Sequence, residues 1–95
     1  MTDLIDTAVE RLRARLPRFD GGTAKFVVTG HGTILLDAAG PRAADGPADV
    51  TLTASAEVFE GMLAGEVNPT MAYMTGKLAV EGDMGLALQL GSRLG

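Results

Sequence analysis

Among 95 residues the chain has no cysteine, no tryptophan, one histidine and two serines. Without thiols there is no disulfide framework and no thiol chemistry. With His31 alone, neither a histidine-rich metal site nor a Cys/His nucleophile pair can be assembled. The chain also lacks an excess of basic residues. Its formal net charge is −4, so no basic face exists to neutralise phosphates, and nucleic acid is excluded as a partner. Durable binding to an anionic membrane is disfavoured on the same ground, while transient membrane contact remains compatible. No uninterrupted apolar run approaches the ~20 residues of a membrane span. The N-terminus, Met1-Thr2-Asp3-Leu4, has no basic region leading into an apolar stretch. The expected location is the cytosol. Aromatic residues make up only 4% of the chain, so flexible or small side chains must fill most of the core.

What is present is an alternation of periodicities. Residues 3–16 place Leu4, Ile5, Ala8, Val9, Leu12 and Leu16 on one helical stripe, with Thr2 or Asp3 as cap and Pro17 as stop. Strands are expected at 23–30 and 33–37, joined by a turn at Gly30-His31-Gly32. After a turn at Ala39-Gly40-Pro41, a short poor strand is expected at 42–45. Residues 49–54 alternate cleanly, with Val50, Leu52 and Ala54 inward. Ser55 caps a helix of about ten residues stopped by Gly65, and Asn68-Pro69 starts another that ends at Gly76. A last strand covers 77–81. A final helix, Met84 to Leu90, is apolar on nearly every side and is expected to be buried. Strands and helices segregated in this way predict a single α+β domain with its helices on one face of the sheet.

No catalytic constellation emerges. His31 reads as a turn residue, and Ser55 and Ser92 read as a cap and a tail residue. Asp37, Asp45 and Asp49 flank turns, Asp83 caps a helix, and Glu57 and Glu60 lie on a polar helix face. Thr75-Gly76-Lys77 lacks the upstream glycine and the following Ser or Thr of a phosphate loop. The chain therefore reads as a non-enzyme without cofactor or metal.

The methionines stand out instead. Met62, Met71, Met74 and Met84 all fall within or near the segment Gly65–Asp83. Methionine is flexible and polarisable, and it adapts to ligands of varied shape. An empty apolar cavity of ~300 Å³ would cost about 7 kcal/mol at roughly 24 cal/mol per Å³. That is a large part of the ~5–15 kcal/mol that holds a small domain together. Such a cavity must collapse or be filled. Methionine permits collapse, and an acyl chain supplies filling at about 0.8 kcal/mol per methylene.

Gly65-x-x-Asn68-Pro69 followed by Met74-Thr75-Gly76-Lys77-Leu78-x-Val80-x-Gly82-Asp83 resembles the hallmark of the sterol carrier protein type 2 (SCP-2) family. The preceding strand Ala48-Asp49-Val50-Thr51-Leu52-Thr53 is similar to that family's as well, and the likeness extends from about residue 4 to 91. The resemblance implies a five-stranded mixed sheet covered by helices that enclose an apolar cavity. It implies binding of a fatty acyl, phospholipid, sterol-like or isoprenoid ligand without catalysis. Carried over by position, Gly65, Pro69, Gly76 and Gly82 determine shape. Phe59, Met62, Leu63, Met71, Met74, Leu78, Met84 and Leu88 would line the lipid site, facing Phe26, Val28, Ile34 and Leu36 on the sheet. Because the chain stops soon after the last helix, the resemblance also leads us to expect a wide mouth or a homodimer that covers it. The alternative from another class is a homodimeric interaction module whose apolar groove takes a partner.

Overall fold

A computed structural model describes residues 4–94. The elements run α1 (Leu4–Arg15), β1 (Ala24–Val28), β2 (Gly32–Asp37), β3 (Gly40–Ala43), β4 (Val50–Ala54), α2 (Ala56–Leu63), α3 (Pro69–Met74), β5 (Leu78–Gly82) and α4 (Met84–Leu94). The five strands form one sheet in the order β3-β2-β1-β4-β5. β1 and β4 are parallel and every other pair is antiparallel, so the sheet is mixed. The expected caps of the first helix, Thr2 and Asp3, lie outside the described residues.

Alternation along the strands decides which face is covered. Ala24, Phe26 and Val28, their partners Leu36 and Ile34, and Val50, Leu52, Ala54 and Leu78 all point to one side. They join Ile5 and Leu12 of α1, Phe59 and Met62 of α2, Ala72 of α3, and Leu86 and Leu90 of α4 in one core cluster. Each such aliphatic or aromatic side chain contributes about 1.5–3 kcal/mol by leaving water. Phe26 and Phe59 meet edge to face, with centroids 5.8 Å apart at 74°.

The parallel β1–β4 pair needs a crossover, and residues 44–49 supply it on the opposite face. There Gly46 lies against Leu35, and Asp45 pairs with Lys25 at 3.0 Å. This explains why Leu35, on the face away from the helices, is nonetheless buried.

Two expectations are corrected. β3 begins at Gly40, inside the segment read as a turn, because the turn needs only Ala38 and Ala39. Asp37 Oδ1 accepts the Ala39 amide at 2.9 Å and closes it. Pro41 is tolerated in β3 because that strand is at the sheet edge. The Pro41 carbonyl still finds a donor in Arg13, at 3.0 Å. The last helix runs on to Leu94, and it is not buried all round: Met84 and Leu88 are exposed. Beside the edge strand β5 only one helix face meets the core. Gly91 does not stop the helix, because its position is packed against Pro69.

Candidate functional site

The segment that links α2 to α4 is shaped by caps. Both α2 and α3 end in a glycine with positive φ, Gly65 at +79° and Gly76 at +80°. In each case the next residue reaches back five positions: Glu66 N–H to Gly61 at 2.8 Å, and Lys77 N–H to Ala72 at 2.8 Å. This glycine stop satisfies the last helical carbonyls and turns the chain sharply. Asn68 Oδ1 accepts the amides of Thr70 and Met71 at 2.8 and 3.3 Å, and Pro69 fills the first helical position. Asp83 caps α4 by accepting the Leu86 amide at 3.1 Å. A helix of six residues is thereby held beside β5 and α4.

α3, β5 and α4 do not close on one another. Between them is a cleft of about 110 Å³, walled by Pro69, Thr70 and Tyr73, by Leu78 and Val80, and by Met84, Ala87, Leu88 and Gly91. Leu52 and Met62 form its floor, and Leu94 closes one end. Among the described residues no charged side chain lines it. A second apolar void of about 20 Å³ lies deeper, among Ala8, Leu12, Phe26, Val28, Ile34, Phe59 and Leu63. It also touches Met62 and Leu94. That volume holds little more than one water-sized sphere.

The twelve residues expected at the site divide accordingly. Phe26, Val28, Ile34, Phe59 and Leu63 meet around the deep void, Leu78, Met84 and Leu88 line the cleft, and Met62 belongs to both. Leu36 is fully buried under the helices and borders neither. Met71 and Met74 point outward, 57% and 72% exposed, and flank the cleft rather than line it. Sequence reasoning missed Tyr73, Val80, Ala87 and Leu94. The signal for α4 was available in its spacing. Met84, Ala87, Leu88 and Gly91 recur at i, i+3, i+4, i+7 on the cleft face, while Leu86, Leu90 and Leu94 recur at i, i+4, i+8 on the core face.

Among the described residues no group of three His, Asp or Glu side chains could hold a metal ion. No described helix is long and apolar enough to cross a membrane. The two carboxylates whose acidity is shifted lie away from the cleft. Asp37 is lowered by the Ala39 amide and then by Arg42, and Asp45 by Lys25 and then by the Gly46 amide. The arrangement can hold an uncharged apolar chain and offers it no reactive group.

Comparison with known proteins agrees with this geometry. The sequence model of the SCP-2 sterol transfer family matches residues 3–94. A zebrafish (Danio rerio) hydroxysteroid dehydrogenase-like protein 2 is 51% identical over 43 residues. That match covers 45% of this chain and only 10% of the zebrafish protein. Sterol carrier protein 2 like 2 of Aedes aegypti superposes with a TM-score of 0.76 at 22% identity, covering 94% of each chain. Aedes aegypti sterol carrier protein-2, solved as a complex with the C16 fatty acid palmitate, gives a TM-score of 0.80 at 21% identity. That superposition covers 99% of this chain and 96% of the other.

Proposed function

The chain belongs to the SCP-2 sterol transfer family, and on that premise we propose that it binds a lipid without catalysis and transfers or presents it. The observation that carries this reading is the uncharged cleft between α3, β5 and α4, floored by Met62. Its ligand is of the fatty acyl class or a comparable phospholipid, sterol-like or isoprenoid chain. Palmitate occupies the mosquito protein that shares this fold, and a single apolar chain suits a slot whose walls are almost entirely hydrocarbon.

The surroundings of the cleft support brief contact with a lipid surface as source and destination. Met71, Tyr73, Met74, Met84 and Leu88 are exposed around it. No charged residue occurs from Asn68 to Gly76 or from Met84 to Ser92. Tyrosine between an apolar body and a polar tip suits a membrane–water boundary.

Native mass spectrometry of the purified protein, with titration of a fluorescent fatty acid, tests the reading. A retained adduct of lipid mass and saturable one-to-one binding are expected. Protein that is ligand-free, refuses the probe and elutes as a dimer with this face covered would replace lipid binding with the homodimeric interaction module.

A further inference from the structure

The cleft and the deep void are neighbours, and Met62 and Leu94 stand in the wall of both. Neither side chain faces water: Met62 is 1% exposed and Leu94 2%. At about 110 Å³ the cleft is smaller than the ~150 Å³ apolar cavity that takes up benzene. A long acyl chain therefore cannot be buried whole within it. Beyond the two side chains the deep void continues between Phe26, Ile34 and Phe59, with apolar walls throughout. We infer that Met62 and Leu94 form a partition that sets how long an acyl chain the protein accepts, and that Arg15 holds the partition in place. This rests on the lipid-binding reading above.

The two halves of the partition are mounted differently. Met62 projects from α2, and its unbranched side chain has three rotatable bonds with which to swing aside. Leu94 is carried on the last turn of α4. Its carbonyl accepts a hydrogen bond from Arg15 Nη1 at 3.0 Å, across 79 positions of sequence. The other guanidinium nitrogen of Arg15 lies beside Gly65, at the end of α2. One side chain from α1 thus meets the ends of the two helices that carry Met62 and Leu94. A chain short enough for the cleft leaves this junction undisturbed. A longer one must displace Met62, Leu94 or both. Its apparent affinity is reduced by the small fraction of molecules in which the partition stands open.

Fluorescent fatty acids of eight and sixteen carbons, titrated against the full chain and followed by stopped flow, provide the test. Met62→Ala removes the partition. It is expected to tighten sixteen-carbon binding about tenfold, since the open fraction no longer limits the long chain, while eight-carbon binding weakens with the loss of the cleft floor. Met62→Leu conserves volume but adds a branch; it should weaken the long probe more than the short one, and it keeps the question answerable if the alanine variant folds poorly. Arg15→Ala should raise the association rate of the sixteen-carbon probe several-fold, and Arg15→Lys, which retains a donor, should bring it back towards the native rate. Equal changes for both probes, or none in any variant, would overturn the partition while leaving lipid binding intact. If the native chain binds neither probe, lipid binding fails and the partition falls with it.

Discussion

The two ends of the sheet's covered face are built from the same kinds of residue and end in opposite states. Over β1, β2 and β3 lies α1, twelve residues long, with Ile5, Val9 and Leu12 buried. Its outer face carries Asp6, Glu10, Arg11, Arg13 and Arg15. Leu16 and Phe19 extend its packing past the helix end, and the voids left under it are small, about 20 and 10 Å³. Over β4 and β5 the cover is split between α3, six residues long, and α4. Here a cleft of about 110 Å³ stays open, and large apolar side chains face water with no charge among them. A long helix with one apolar stripe seals a sheet. A six-residue helix beside α4, whose one charge is Arg93 in its last turn, leaves a gap. The difference separates a half that is closed by packing from a half that keeps an open apolar cleft.

Substitutions sharpen the contrast most at its two extremes. Leu36→Ala, on the sealed side, is expected to cost about 2–5 kcal/mol, a fall in melting temperature of ~4–8 °C for each of those kcal/mol. Leu88→Ala, on the cleft rim, should stay within about 0.5 kcal/mol of the native stability. Similar losses in thermal melts of the two variants would erase the distinction.

Gly82 and Gly76 make a comparable pair within the motif segment. Both have positive φ, but a Cβ on Gly82 would collide with the Asp49 carbonyl oxygen, whereas one on Gly76 would meet open space. Gly82→Ala should cost about 2–3 kcal/mol. Gly76→Ala should cost only the ~1–2 kcal/mol of a left-handed alanine. Chemical denaturation ranks them, and the reverse order would mean that helix termination matters more than the β4–β5 approach.

Smaller effects should appear in binding. Leu88→Asp puts a charge on the cleft rim and should weaken a sixteen-carbon fatty acid about tenfold, or ~1.4 kcal/mol, with little change in melting temperature. Asn68→Ala removes the cap that holds α3 beside the cleft and should cost about 1 kcal/mol of stability. Unchanged affinity in the Leu88→Asp variant would place the lipid elsewhere.

The smallest expected effect is the pH dependence, and it belongs to the sealed side. Asp37 and Asp45 are more acidic in the folded chain than ordinary aspartates, through the Ala39 amide with Arg42 and through Lys25 with the Gly46 amide. A lowered folded pKa means that the unfolded chain binds more protons at intermediate pH. Their contribution is therefore complete above the usual carboxylate pKa of ~4 and is lost as pH falls through the lowered value. Asp45 is exposed and Asp37 only half-buried at the surface, so the slope is shallow. Replacing both with Asn should flatten the acid limb of a melting-temperature profile and leave the binding of an uncharged lipid probe at neutral pH unchanged.

Much of this was legible beforehand because local rules acted alone. The stripe of α1, the alternation of Val50, Leu52 and Ala54, the Asn68-Pro69 start and the Gly65 and Gly76 stops each follow from residues close in sequence. Pairing was less legible. Pro41 became part of a strand because β3 came to lie at the sheet edge, where Arg13, twenty-eight positions away, also supplies a donor to its carbonyl. α4 carried two apolar faces, and composition cannot say which of them meets the core. Met71 and Met74 show the same limit: a methionine on a short helix packs or protrudes according to what lies opposite.

The sequence by itself determined most of the elements and the caps of α2, α3 and α4, because each depends on neighbours a few residues apart. Tertiary structure decided that β5 would be an edge, that α3 and α4 would stand apart, and that Met62 and Leu94 would each border two apolar voids. Those outcomes depend on contacts between residues dozens of positions apart, which no local pattern records.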